Sequence, residues 1–139
     1  MVAVNRKPIQ VWWCNQSRCW KGESEAGVVC SSREGVKRLK FRKTVGEVEQ
    51  ADIIVHYRTQ KGIFAISRAL ENGREERRLP DLGGYRYGSG WRFPAEYFIL
   101  PHPITREKVN KQLQNLKLPV TLIYRNGNVR QDYLIPFSQ

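Results

Sequence analysis

The chain has 139 residues, with 24 Lys and Arg against 13 Asp and Glu, a formal net charge of +11. No apolar run approaches the ~20 residues of a membrane-spanning helix, and no basic-then-apolar leader precedes Ile9, so a soluble, cytoplasmic, single-domain protein over 1–139 is expected. The charge points to an acidic partner, most simply a phosphate backbone, rather than a membrane surface, for which a strongly amphipathic basic helix is missing.

Met1 to Pro8 is polar and reads as loose. Val11-Trp12-Trp13-Cys14-Asn15-Gln16-Ser17-Arg18-Cys19-Trp20 then holds three of the four tryptophans and two of the three cysteines. Ile9 to Cys14 is apolar and β-prone, and Asn15 to Ser17 is a polar exit. Alternation places Ile9, Val11, Trp13 and Asn15 on one face and Gln10, Trp12 and Cys14 on the other. A strand ending in rings and then side-chain amides can hold a planar heterocycle such as a nucleobase. The plainer alternative is that the tryptophans are core and the amides cap a turn. Cys14, Cys19 and Cys30 lack the paired spacing of a zinc site and read as small buried hydrophobes.

Lys21 to Ser32 reads as loop or short helix. Val36-Lys37-Arg38-Leu39-Lys40-Phe41-Arg42-Lys43 is the densest positive run in the chain and reads as a strand, a phosphate-contacting strip or a solvated edge. Thr44-Val45-Gly46-Glu47 has capping-box spacing and can start one helical turn. Asp52 to Tyr57 is a buried-strand pattern, joined through Arg58 to Gly62 to a second strand, Ile63 to Ala69. His56 reads as satisfying a local hydrogen bond rather than performing acid–base work. Glu71 to Arg78 is charged without an apolar face and reads as loop. Leu79 to Trp91 is glycine-rich and carries Tyr85, Arg86, Tyr87 and Trp91, a lid over a flat ligand or a self-packed surface loop. From Trp91 to Ile99 the odd-numbered positions share one face. Thr105 can cap a helix running to Leu116, with Val109, Leu113 and Leu116 along one side. Leu118 to Tyr124, the Asn126-Gly127 turn and Val129 to Pro136 read as a hairpin. With six or seven strands, short helices and no βαβ alternation, the class is α+β on a curled, mostly antiparallel sheet.

The segments Val11-Trp12-Trp13-Cys14-Asn15-Gln16, Ala51 to Tyr57, Ile63-Phe64-Ala65-Ile66, Ala95-Glu96-Tyr97-Phe98 and Gln131-Asp132-Tyr133-Leu134 resemble the EVE domain. That domain belongs to the PUA-like superfamily with YTH and ASCH domains. The likeness is nearest to EVE modules of modification-dependent restriction systems and spans nearly the whole chain. It implies a PUA-like, partly open β-barrel flanked by short helices, with an aromatic cage for a modified base. In restriction-linked members that base is flipped from duplex DNA; in YTH relatives it is a methylated adenine in RNA. Carried over, Trp13, Asn15 and Gln16 line the base pocket, with Trp20, Tyr57 and Trp91 as further aromatic candidates; from the glycine-rich loop, Tyr85 is added to this base-binding set. The chain departs from the pattern at Gly27-Val28-Val29-Cys30-Ser31-Ser32, where relatives are aromatic-rich, at Ala51, where they carry Gly, and at Asp132.

These observations, with the resemblance, predict a non-catalytic, monomeric reader of a methylated or otherwise modified base, in DNA, with a nuclease or other effector acting with it. Arg18, Lys37, Arg38, Lys40, Arg42, Lys43 and Arg58 are the expected phosphate contacts, and neither metal nor cofactor is expected. An RNA-binding PUA-like domain is the second reading. A small nuclease is the third, and the sequence lacks a recognisable metal-ligand or nucleophile–base set for it.

Overall fold

The computed structural model describes residues 8–16, 20–33, 40–59, 61–80, 82, 88–113 and 133–137. Its elements in chain order are β1 (Val11–Asn15), α1 (Trp20–Ala26), β2 (Val28–Ser32), α2 (Lys40–Lys43), a 3-10 turn (Thr44–Glu47), β3 (Ile53–Arg58), β4 (Gly62–Ala69), β5 (Arg74–Glu76), β6 (Gly90–Ile104), α3 (Arg106–Leu113) and β7 (Leu134–Pro136). The strands form one sheet in the order β2-β6-β4-β3-β1-β7, with β5 also on β6. All pairings are antiparallel except β1 on β3, where Val11 lies opposite Ile53 and Asn15 opposite Tyr57. This is the expected α+β, mostly antiparallel half-barrel with short helices on it.

Residues directly opposite on paired strands share a face, so the register divides the side chains into two sets. Trp12, Ile54, Ser67 and Tyr97 follow one another across β1, β3, β4 and β6 and point into the barrel. The interior cluster includes Trp12, Cys14, Val29, Ile54, Trp91, Phe93 and Leu134. Trp13, Val55, Ile66 and Phe98 follow one another on the opposite, outer face. There α3 lays Val109 against Trp13, Tyr57 and Ile135 to form a second cluster. The apolar interior of each face supplies the main driving force for closing the sheet. Beyond α3 the outer face is uncovered among the described residues, and Phe98 is 58% exposed.

Several local expectations change. Lys21 to Ser32 contains a helix and a strand, since Gly27 at φ +68° supplies the left-handed residue that ends α1 and turns into β2. Lys40 to Lys43, read as strand, is helical; 36–39 lie outside the described residues. Thr44 does begin a single turn, but its hydroxyl bonds Leu134 O at 2.7 Å and leaves the turn without a side-chain cap. The charged 71–78 stretch includes β5, which pairs Arg74 with Arg92 and is laced by the Arg74–Glu76 and Arg92–Glu76 ion pairs. Of the 118–124 and 129–136 hairpin, only 133–136 is described.

Candidate nucleic-acid interface

The parallel strands β1 and β3 end side by side, Asn15 opposite Tyr57, and the Gln16 amide N–H donates to Tyr57 O at 2.9 Å. At this end of the sheet a polar network runs through the barrel. Ser67 Oγ lies 2.6 Å from His56 Nε2, and His56 Nδ1 lies 2.6 Å from Gln16 Oε1. The Gln16 amide nitrogen donates to Glu23 Oε2 at 2.5 Å and to the Tyr97 hydroxyl at 2.9 Å. Tyr97 in turn donates to Val28 O, while Glu23 Oε1 accepts from Tyr133 Oη and from the Cys30 amide. Because Gln16 Oε1 can only accept, His56 carries a proton on Nδ1. Burial holds the imidazole pKa down at about 3, so at neutral pH the ring is neutral and Nε2 accepts from the Ser67 hydroxyl. Burial, followed by the charge of Glu23, pushes the Cys30 thiol up to about 12, far from a reactive thiolate.

An aromatic column accompanies this network. Tyr97 stacks on His56 at 4.6 Å between ring centroids, His56 lies 6.0 Å from Phe64, and Phe64 meets Trp20 edge-on at 5.6 Å. Trp20, the first residue of α1, is half-buried and ends the column. The guanidinium of Arg58, the last residue of β3, covers its ring at 3.8 Å and lies 5.8 Å from Phe64. Arg58 forms no ion pair among the described residues, and its buried Nε has no hydrogen-bond partner there.

The structure corrects the expected common pocket. Trp13 is 1% exposed, on the outer face, stacked between Tyr57 at 5.1 Å and Phe137 at 6.3 Å. Tyr57 is 2% exposed in the same cluster. Trp91 is 3% exposed and belongs to the interior cluster instead; Gly46 packs on its ring and Arg33 lies over it at 4.8 Å. Strand alternation is the cause: Trp13 and the Trp91 side chain occupy opposite faces of the sheet and cannot converge. Gln16 is fully buried with both amide atoms engaged, and Asn15 Oδ1 accepts from Trp13 Nε1 at 3.1 Å. Trp20 is thus the half-exposed aromatic of that set among the described residues, and Tyr85 lies outside them.

Of the expected phosphate contacts, Arg18, Lys37 and Arg38, with the side chain of Lys40, lie outside the described residues. Lys43 is exposed, and Arg42 turns one nitrogen back to Ser32 O at 3.3 Å. Arg58 stands at the barrel end, and exposed Lys21 and Lys61 adjoin it in the chain through α1 and the β3–β4 turn. The sequence did not single out Phe64, Tyr97, Glu23 or Ser67. Tyr97 alternates with exposed Glu96 and Phe98 and Phe64 lies in an apolar strand, but neither pattern says what shares the interior with them. At the opposite end of β1 a groove of about 520 Å³ is lined by Trp12, Glu47, Glu49, Asp52 and Pro136. Its carboxylates have the wrong sign for phosphate. Asp52 itself accepts from the Gln10 and Glu49 amides and from Trp12 Nε1, a structural use of a buried carboxylate.

Neither a protein-family model nor a curated protein sequence matches the chain. Solved structures do. A YTH domain from Zygosaccharomyces rouxii, in complex with N6-methyladenosine RNA, is similar with TM-score 0.56 at 18% identity, over 92% of this chain and 79% of that one. A hypothetical protein from Leishmania major gives 0.60 at 9%, over 94% and 88%. A Pseudomonas putida protein gives 0.58 at 13%, over 91% and 90%. The fold is therefore of the kind that this YTH domain adopts.

Proposed function

We propose that the chain is a non-catalytic nucleic-acid-binding module that recognises a modified base. The observation that carries this reading is the aromatic column that ends at the barrel rim on Trp20, with the cation of Arg58, without an ion pair among the described residues, on its face. Stacking surface and phosphate-seeking charge stand together there, in a chain of net charge +11. DNA is the substrate we place first, with the base flipped from a duplex and an effector nuclease acting beside the module, as in EVE modules of modification-dependent restriction systems. RNA is the second, supported by the YTH neighbour bound to N6-methyladenosine RNA. In either case Trp20 and Arg58, and not Trp13, Tyr57, Gln16 or Trp91, are the contacts we assign at this end.

The test is a binding array of duplex and single-stranded DNA and RNA, each carrying one of several modified bases beside an unmodified control. The expected result is at least tenfold preference for one modified oligonucleotide, retained by the isolated protein and without strand cleavage or base release in magnesium, manganese or zinc. Equal affinity across the array would reject recognition of a modification, and cleavage abolished by a point change in the chain would make it an enzyme.

A further inference from the structure

The Arg58–Trp20 pair has a feature that a permanent structural contact lacks. The guanidinium is planar, lies at stacking distance from the indole, and has the outline of a small heterocycle. It has no carboxylate to fix it among the described residues, and its buried Nε is left without a hydrogen-bond partner there. Native proteins rarely leave such a donor unpaired unless another arrangement satisfies it. The ring beneath is well founded: Phe64, 4% exposed, meets it edge-on, and His56 and Tyr97 continue behind. A cation on a half-exposed ring holds less firmly than a nucleobase stacked on the same ring.

We infer that the Arg58-covered face of Trp20 is a nucleobase-stacking site, that the guanidinium fills it in the free protein, and that an arriving base displaces Arg58 onto the phosphate of the same strand. This rests on the nucleic-acid reading above and adds to it a defined site and an exchange. Arg58 gives up a cation–π contact and gains charge-assisted bonds to phosphate oxygens, including one for its orphaned Nε. The base gains the vacated ring. Its position at the very end of β3, one residue past the register shift at His56/Tyr57, leaves the Arg58 side chain free to move without disturbing the sheet.

The test compares two twelve-nucleotide single-stranded probes, one fully base-bearing and one abasic at its central positions, in DNA and RNA versions. Wild-type protein should prefer the base-bearing probe by about tenfold, within the range of one stacking contact. Trp20→Leu should lose that preference, while Trp20→Phe keeps it. Arg58→Lys and Arg58→Ala should keep or raise the preference, since the ring is uncovered; only Arg58→Ala should reduce the slope of log affinity against log salt by about one. The direct readout is the Arg58 Nε–H resonance, shifted by the indole ring current in the free protein. It should move on addition of the base-bearing probe and stay with the abasic one. Thermal melts establish that each variant is folded, and Trp20→Met, which also removes the ring, stands in if Trp20→Leu is not. Loss of the base preference in Arg58→Lys would overturn the exchange and make Arg58 a fixed wall. An unchanged preference in a folded Trp20→Leu would overturn the site alone. A wild-type protein that binds neither probe better than inorganic polyphosphate would overturn the nucleic-acid reading with it.

Discussion

Gln16 shows what a single side chain can hide from a sequence reader. An amide at the end of a tryptophan-rich strand has the right groups for a base edge, yet both its ends are spent on His56, Glu23 and Tyr97 inside the barrel. Nothing in the chain near residue 16 announces these partners, because Glu23, His56 and Tyr97 come from three different elements. His56 was legible in kind: a lone histidine in an apolar strand reads as satisfying a local hydrogen bond, and both its ring nitrogens are so engaged. Its depressed pKa has a consequence for stability. The folded state resists a proton that the unfolded chain takes up near pH 6.5, so stability falls as pH drops from about 6.5 toward about 3. In that window the loss approaches roughly 1.4 kcal/mol per pH unit. A His56→Gln variant, melted alongside wild type from pH 7 to 5, should show a flatter dependence even if its absolute stability is lower. Parallel curves would mean that other groups set the acid sensitivity.

Among elements, the strands with strong apolar patterns were legible and the charged ones were not. β3 and β4 fall within a residue or two of their expected bounds because β-branched runs between polar stops leave little choice. β5 and the helical 40–43 segment were misread because their charged runs carry no apolar period; what fixes them is pairing with β6 and contact with β2, which lie outside either segment. The parity of β1 was read correctly, but a strand pattern does not tell which face is the interior. Helix α3 covers the Trp13 face, and that could not be foreseen from β1 itself. The entry to β3 was better marked. Ala51, standing where EVE-like sequences carry Gly, has φ +76°, a left-handed conformation that a Cβ disfavours. Its amide bonds Ala69 O, and Asp52 follows with its three acceptor bonds, so the turn is held despite the strain. Ala51→Gly should therefore raise stability by about 1 kcal/mol in denaturant unfolding. A loss of stability would show that the turn tolerates Ala without strain.

Among the described residues the cations are partly matched. Arg33, Arg68, Arg74 and Arg92 face carboxylates around the β4–β5–β6 side of the barrel, whereas Lys21, Lys43, Lys61, Arg77 and Arg78 are exposed without an ion pair there. The charge total was readable from composition; its distribution needed the fold. If phosphate contacts supply most of the affinity, log affinity for a duplex should fall linearly with log salt. An Arg38→Ala, Lys40→Ala double variant, taken from the densest basic run, should reduce the magnitude of that slope by about two. An unchanged slope would mean that this run is a solvated face and that phosphates are met elsewhere.

The placement of β1 also sets an order of events during synthesis. The strand leaves the ribosome before both of its neighbours: β3, with the preceding Asp52 that bonds Trp12 from 40 positions away, and then β7 at residues 134–136. The β3–β4 hairpin closes locally and fast, while parallel pairing across so long a loop is slow. A tryptophan-rich ribbon is thus left half-paired on the nascent chain until β7 emerges, and it is there that misfolding and chaperone capture should concentrate.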